Sequence, residues 1–304
     1  MTNFYKDEQQ IVTWLDEYEV KNYKLLPDEK YGFIVNVNGS VDLSDKKLLN
    51  IPVKFNEVSG SFYCKNNQLT SLEFSPKTVG GSFDCSFNKL TSLEFCPKVV
   101  GGSFDCENNQ LTSLEFSPQT VKDNFECGNN ELTSLEFCPQ TVSGSFYCGD
   151  NKLTSLDFSP KNIGDDFYCG NNQLTSLEFS PKNIGDNFYC HDNQLTSLEF
   201  SPTTVGGDFL CNKNKLTSLE FCPEKVVGSF YCHDNQLTSF EFCPETVSGS
   251  FYCGNNPKLK LIQKITDFKL IYLEHKKILI TKFSDKLKDN LINDSNKKTN
   301  KIKI

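Results

Sequence analysis

Cysteine is the potentially reactive residue that recurs most regularly in this sequence. The chain has fourteen cysteines, and ten of them close a Phe-x-Cys triplet that returns every 21 residues. These ten are Cys64, Cys85, Cys106, Cys127, Cys148, Cys169, Cys190, Cys211, Cys232 and Cys253. Zinc sites usually bring two cysteines together in a Cys-x-x-Cys pair. No such pair occurs here, so the spacing predicts no zinc site.

Disulfides between successive repeats are the second possible use of these thiols. Neighbouring strands lie about 4.8 Å apart, and parallel Cβ directions keep the Cβ atoms near that distance, too long for good disulfide geometry. Four further cysteines, Cys96, Cys138, Cys222 and Cys243, stand where other repeats have serine. We expect all fourteen to be buried, reduced thiols in a reducing compartment, which mass spectrometry of rapidly alkylated protein would check.

Acidic residues and histidines are the other candidate ligands. One acidic column runs through Glu73, Glu94, Glu115, Glu136, Asp157, Glu178, Glu199, Glu220 and Glu241. Each repeat offers one carboxylate and no enclosing turn, so calcium-dependent binding is a remote alternative. His191 and His233 share a column but stand two repeats apart, on the order of 10 Å. No Ser-His-Asp or Cys-His arrangement accompanies them. The sequence therefore predicts no catalytic residue, no metal site and no cofactor.

An asparagine column follows each triplet cysteine. Its members are Asn67, Asn88, Asn109, Asn130, Asn151, Asn172, Asn193, Asn214, Asn235 and Asn256. Side-chain amides at this position can bond to the backbone of turns in their own and adjacent coils, whose polar groups would otherwise be buried without partners. We interpret the column as a structural ladder, not as a catalytic feature.

A 21-residue repeat positions all of these columns. Its remaining fixed positions are apolar or turn-forming, as in Leu69, Leu72, Phe74, Pro76 and Val79. Phe-x-Cys alternates with the period of a short strand, and proline and glycine mark turns. Each repeat is predicted to form one strand, a turn, an extended return path and a second turn. All of the apolar columns, the Phe74 column included, are expected in the core.

A single repeat cannot fold alone. It buries about six apolar side chains at roughly 1.5–3 kcal/mol each, whereas ordering its backbone costs roughly 1–2 kcal/mol for every residue. Stacked repeats bury both faces against their neighbours, so stability arises only in the array.

The segment FDCSFNKLTSL of residues 83–93 resembles the leucine-rich repeat consensus LxxLxLxxNxL. Phe83 and Cys85 take the strand positions, and Asn88 is the consensus asparagine. The short repeat of the form Phe-x-Cys-x-x-Asn-x-Leu is similar to arrays in giant DNA viruses of amoebae and in phages and bacteria. The resemblance implies a right-handed leucine-rich repeat array with a parallel concave sheet, and usually protein binding.

The predicted fold class is an α/β-type repeat solenoid that is mostly β, with helical caps. Its segments are an N-terminal helical cap (1–40), the solenoid (41–256), a C-terminal helical cap (257–290) and a disordered basic tail (291–304). The first cap follows from helical spacing of Ile11, Val12, Trp14, Leu15 and Tyr18. The tail follows from its composition.

Charge and hydropathy exclude several classes of partner. The net charge is −8, with 18 Lys against 34 acidic residues in 1–256 and 13 Lys against 5 in 257–304. An acidic body argues against nucleic-acid binding. No stretch approaches the roughly 18 apolar residues of a membrane span, and no signal-like segment opens the sequence. We expect a protein of the cytoplasm, or of the host cytoplasm if viral, with no membrane partner.

The residue between Phe and Cys is predicted to point outward on the concave sheet. This column reads Tyr63, Asp84, Asp105, Glu126, Tyr147, Tyr168, Tyr189, Leu210, Tyr231 and Tyr252. Its first part is acidic and its second part is rich in tyrosine, which suits binding hot spots.

We therefore predict a non-catalytic protein–protein interaction module. A protein or peptide ligand would cross Tyr147 to Tyr252, with any basic portion near Asp84, Asp105 and Glu126. Two alternatives stay open. The tyrosines could simply cover the sheet through cross-strand contacts, or the chain could be a structural component such as a virion protein.

Overall fold

A computed structural model describes residues 4–257 together with Leu259, Leu273 and Ser284. The predicted C-terminal cap (257–290) lies almost entirely outside the described residues, and the predicted tail (291–304) lies wholly outside them. Within the described part of the chain, no helix is long and apolar enough to cross a membrane.

The N-terminal segment contains one helix and one hairpin. They are formed by α1 (Glu8–Glu17), β1 (Tyr23–Asp28) and β2 (Gly32–Val37). The Asp7 side chain caps α1 by accepting the backbone N–H of Gln10 at 3.1 Å. Ile11, Trp14 and Leu15 form the buried face of α1. The Trp14 ring packs 6.4 Å from the ring of Phe55, so α1 covers the first core layer.

The cap predicted as helical over 1–40 is thus only partly helical. Strands β1 and β2 pair antiparallel, and β2 then pairs in parallel with the strand Phe55–Val58. Val35 and Val37 are buried while Asn36 is not, an alternation with the period of a strand. The hairpin therefore extends a sheet of the solenoid.

From Val41 onward, every coil adds two residues to a parallel sheet of eleven strands, hereafter the long sheet. Its strands are Val41–Asp42, Phe62–Tyr63, Phe83–Asp84, Phe104–Asp105, Phe125–Glu126, Phe146–Tyr147, Phe167–Tyr168, Phe188–Tyr189, Phe209–Leu210, Phe230–Tyr231 and Phe251–Tyr252. Equal positions pair with each other, as in Phe146 with Phe167 and Tyr147 with Tyr168. The predicted parallel-sheet solenoid, mostly strand, is confirmed.

The return path of most coils also forms short parallel strands. These are Phe55–Val58, Thr78–Val79, Val99–Val100, Thr120–Val121, Asn162–Ile163, Asn183–Ile184, Thr204–Val205, Lys225–Val226 and Thr246–Val247. They fall into sheets of six, two and three strands, the largest of which includes the hairpin. In each of the two-residue strands of the return path, a β-branched residue such as Val79 points inward, and the residue before it, here Thr78, is exposed.

The core is a stack of equal layers. The triplet phenylalanines are almost fully buried, and their rings stack from coil to coil. The rings of Phe62 and Phe83 lie 5.7 Å apart and nearly parallel, and those of Phe230 and Phe251 lie 5.3 Å apart. Cysteine and leucine columns fill the rest of each layer. The repeated contacts explain why each coil depends on its neighbours.

The prediction that the Phe74 column is buried is wrong for eight of its nine members. Phe74 is only 2% exposed, but the other members are between 38% and 55% exposed. These eight form what we call the phenylalanine ladder: Phe95, Phe116, Phe137, Phe158, Phe179, Phe200, Phe221 and Phe242.

A turn directs the side chains of this column away from the core layer, and Phe74 is then covered by Phe4 and Tyr31. In the first such turn the N–H of Ser75 bonds to the C=O of Leu72 at 2.9 Å, and Phe74 has a φ of 74°. Only the third residue has a positive φ, so the turn is of type II. In this conformation the side chain does not point in the direction that strand alternation predicts for it.

Candidate functional site

The outward column of the long sheet is continuous from Tyr63 to Tyr252. Each member pairs in register with its equivalent on the next strand, for example Asp105 with Glu126 and Tyr189 with Leu210. The structure therefore brings together all of the residues predicted for the ligand-binding surface. Leu210 divides its tyrosines into two groups.

The tyrosine stripe, defined as Tyr147, Tyr168, Tyr189, Tyr231 and Tyr252, consists of two groups of rings in contact, one on each side of Leu210. The ring centroids of Tyr168 and Tyr189 lie 5.6 Å apart, and those of Tyr231 and Tyr252 lie 4.5 Å apart and are stacked. Tyr252 is exposed, and the other four rings are half-buried. The rings within each group thus pack against each other and still remain partly exposed to solvent.

Glycines next to the tyrosine stripe let its rings lie close to the backbone of the neighbouring coil. A Cβ placed on Gly149 would lie 1.9 Å from a ring carbon of Tyr168, so this ring leans over the preceding coil. The ring centroids of His191 and Tyr168 lie 5.4 Å apart in a T-shaped arrangement, and His191 Nε2 lies 3.4 Å from the Tyr168 hydroxyl. Burial lowers the pKa of His191, which favours a neutral imidazole beside the stripe.

The hydroxyl groups of the stripe differ in their partners. The Tyr147 hydroxyl donates to Oδ2 of Asp166 at 3.0 Å, and Nδ2 of Asn171 donates to the Tyr168 hydroxyl at 3.3 Å. For Tyr189, burial and then the nearby aspartates, led by Asp166, raise the pKa to about 12. Within the described residues, no side chain bonds to this Tyr189 hydroxyl. It is therefore a neutral group open to a ligand.

Asp84 is part of the protein's own network. Its Oδ1 accepts the backbone N–H of Ser86 at 3.0 Å and the Ser86 hydroxyl at 2.6 Å. Its Oδ2 lies 3.2 Å from Nζ of Lys65. Asp84 is therefore already neutralised and less suited than its neighbours to receive a basic ligand.

Asp105, Glu107 and Glu126 form the unneutralised acidic end of the surface. Each offers an oxygen within 4.8 Å of the others. Burial is the main cause that raises the pKa of all three, and that of Asp105 reaches about 7. The ion pairs found among the described residues include none of them. A cationic group placed here would relieve their mutual repulsion.

Sequence reasoning missed Glu107. The signal was present, because Asp105 and Glu107 lie two residues apart in an extended segment and so share one face. The backbone N–H of Glu107 also donates to Oδ1 of Asp105 at 2.9 Å, which holds the two acidic side chains together.

The asparagine column ties adjacent coils together. Asn151 is typical: its Oδ1 accepts the N–H of Leu132 at 3.0 Å. Its Nδ2 donates to the carbonyl groups of Cys127 at 3.0 Å, Cys148 at 3.2 Å and Gly149 at 3.1 Å. One buried amide therefore satisfies four backbone groups on two coils.

The cysteine columns lack the features of a reactive thiol. Burial raises the pKa of Cys148 well above its ordinary value and that of Cys96 to about 12. A protonated, buried thiol is a poor nucleophile and a poor metal ligand. The prediction that all fourteen cysteines are buried holds for eleven, whereas Cys222, Cys243 and Cys253 are half-buried. The reduced state of the fourteen remains a prediction.

Comparison with known proteins identifies the fold. YopM from Yersinia enterocolitica WA-314 aligns over 72% of this chain and 54% of its own, with 20% identity and a TM-score of 0.52. The functional domain of InlJ from Listeria monocytogenes, described as including a cysteine ladder, aligns over 73% and 55%, with 22% identity and a TM-score of 0.56. The alignment spans about half the length of each of these solved structures.

These two structures are leucine-rich repeat proteins, and the present chain has their fold. No protein-family model matches the chain, and no curated protein is significantly similar to it in sequence.

Proposed function

We propose that the chain is a non-catalytic scaffold that binds a protein or peptide ligand on the outward column of the long sheet. Proteins with this fold suggest an interaction scaffold. The tyrosine stripe is the observation that carries the proposal. Its rings offer apolar edges with few rotatable bonds, and the open hydroxyl of Tyr189 offers a hydrogen bond, a combination common in binding hot spots.

The two ends of this surface differ in their chemistry. Tyrosines occupy the end from Tyr147 to Tyr252, and the Asp105–Glu107–Glu126 group occupies the other. A ligand with an apolar or aromatic portion and a basic portion would match both ends at once. In the proposed orientation, its basic portion lies on Asp105 and Glu126, because Asp84 is already paired with Lys65.

The test begins with selection of binders from a displayed random-peptide library on the intact protein. The dissociation constants of the selected peptides are then measured by calorimetry. Replacing Tyr168 and Tyr189 together by Ala should weaken binding at least tenfold. Replacing Asp105 and Glu126 together by the corresponding amides should weaken it in a salt-dependent way, because it removes charge attraction.

A matched control changes the same two coils on another side. Phe179→Gly with Phe200→Gly alters two exposed rings outside the long sheet, and should leave the affinity of these peptides unchanged. Circular dichroism of every variant checks that the fold survives. Unchanged affinity in the folded double tyrosine variant would place the ligand elsewhere.

A further inference from the structure

The phenylalanine ladder is a regular apolar surface outside the long sheet. Every ring stands on the same type II turn, and the turns are held by repeated bonds. In one coil the hydroxyl of Ser134 accepts the N–H of Glu136 at 3.0 Å. The N–H of Cys138 bonds to the C=O of Leu135 at 3.1 Å. These bonds hold the backbone that carries the ladder in the same conformation from coil to coil.

Phenylalanine is an unfavourable choice for this position. The eight ladder residues have φ values from 66° to 73°, a region that favours glycine at the third position of a type II turn. Within the described residues, no ring contact joins two ladder members, whereas each buried triplet ring contacts the equivalent ring of the next coil. Neither the backbone nor internal packing accounts for a large exposed ring at eight successive turns, which points to a use outside the chain.

The ninth member of the column shows what can cover such a ring. Phe74 is buried because Phe4 and Tyr31 of the N-terminal segment lie on it, with ring centroids 5.0 Å and 5.6 Å away. Each covering ring carries its own lysine: Nζ of Lys6 lies 5.2 Å from the Phe4 ring, and Nζ of Lys30 lies 4.8 Å from the Tyr31 ring. Aromatic rings accompanied by lysines thus cover Phe74, the first member of the column.

An acidic residue precedes each ring of the ladder. These residues are Glu94, Glu115, Glu136, Asp157, Glu178, Glu199, Glu220 and Glu241, and all are exposed. The ion pairs found in the described part of the chain include none of them. On the ladder itself, Nζ of Lys182 lies 5.7 Å from the ring of Phe200. Both the carboxylates and the ring faces favour a cationic partner.

We propose that the phenylalanine ladder is a second docking surface, whose partner is a basic polypeptide segment with lysine or arginine interspersed among aromatic side chains. The partner continues along Phe95 to Phe242 the covering that Phe4 and Tyr31 begin on Phe74. This surface is separate from the tyrosine stripe, so either can be correct without the other.

Defined peptides test the proposal. The first probe is a fluorescein-labelled peptide in which lysine alternates with phenylalanine and tyrosine. The second replaces every lysine by glutamate, and the third replaces every aromatic residue by serine. The wild-type protein should bind the first probe at least tenfold more tightly than either of the others in fluorescence anisotropy at physiological salt.

Two protein variants locate the bound probe. Changing Phe137, Phe158 and Phe179 to Gly removes three rings while keeping a residue that suits the turn, and should weaken binding of the first probe at least tenfold. Tyr168→Ala with Tyr189→Ala changes the long sheet and reports any binding of the probe there. Loss of binding in this variant, with binding retained in the ladder variant, would overturn the proposal. Circular dichroism melting confirms that each variant is folded.

Other outcomes would overturn the proposal, and some of them would indicate a different partner. Equal binding of the serine probe would show electrostatic attraction alone, and failure of all three probes would leave no basic partner. Capture by phosphatidylserine vesicles that the ladder variant loses would indicate a membrane surface. Self-association of the wild type in light scattering, lost in the ladder variant, would indicate a second copy of the chain.

Discussion

Each complete coil carries a phenylalanine in two of its columns, and the two columns meet opposite surroundings. Phe146 is fully buried and stacks between Phe125 and Phe167, with ring centroids 5.5 Å and 6.1 Å away. Phe158, later in the same coil, is 54% exposed. The first ring stands on a strand, whereas the second stands on a turn residue with a φ of 69°.

This contrast shows that regular repetition of an apolar residue does not establish that it is buried. Both columns recur every 21 residues. Backbone conformation sets the direction of each ring, because a strand directs alternate side chains inward, while the third residue of a type II turn follows another direction. A ring on such a turn is buried only where another segment covers it, as on Phe74. The two columns should therefore respond very differently to substitution.

The largest expected effect comes from the buried column. Phe146→Ala should lower the free energy of unfolding by about 3–5 kcal/mol, because it removes a ring packed between two others and leaves a cavity. Urea titration followed by circular dichroism measures the change. A loss below about 1 kcal/mol would contradict the view that the triplet stack dominates stability.

Among polar residues the same contrast predicts a large loss at the asparagine ladder. Asn151→Ala leaves buried backbone groups without partners and should cost about 1–3 kcal/mol in urea titration. The neighbouring Lys152, which is exposed and paired with Glu131, provides the control. Lys152→Ala should cost less than about 1 kcal/mol. Similar losses in the two variants would show that the ladder does not tie the coils together.

The acidic end of the long sheet should make stability depend on pH. The pKa of Asp105 is raised from 3.8 to about 7, mainly by burial. The folded state therefore binds more protons than the unfolded state between about pH 4 and pH 7, and stability falls as pH rises through this window.

Asp105→Asn should remove part of this slope and stabilise the protein at pH 8 by about 1–3 kcal/mol. At pH 4 the variant and the wild type should differ little. Urea titrations at several pH values measure both expectations. Glu115→Gln, which changes an exposed carboxylate outside the long sheet, is the control and should have much less effect. If the free energy of unfolding of Asp105→Asn depends on pH in the same way as that of the wild type, Asp105 is not the source of the pH dependence.

The smallest effect is expected on the phenylalanine ladder. Phe158→Gly loses an exposed ring but relieves an unfavourable φ, so its stability should stay within about 1 kcal/mol of the wild type. Phe74→Gly changes the same turn position where the ring is buried, and should cost about 2–4 kcal/mol. If both variants lose equal stability, exposure is not what distinguishes the ladder.

Much of the long sheet could be predicted because neighbouring coils are nearly identical in sequence. With an unbroken 21-residue spacing, in-register stacking places equal residues side by side, and this brings together Asp105, Glu126 and the tyrosine stripe. The hairpin of β1 and β2 was harder to predict, because it lies outside the repeat and a helix precedes it. The pairing of Asp84 with Lys65 joins different coils and has no local signal.

By itself, the sequence determined the repeat, the strand triplet, the stacking register and the outward column, because each depends on residues at fixed spacing. Only the tertiary structure decided which apolar columns are buried. Phe74 and Phe95 occupy the same repeat position, yet one is covered and the other is 49% exposed. The difference arises from Phe4 and Tyr31, which reach Phe74 from outside the repeat. Burial depends on such contacts between distant segments, and local periodicity contains no record of them.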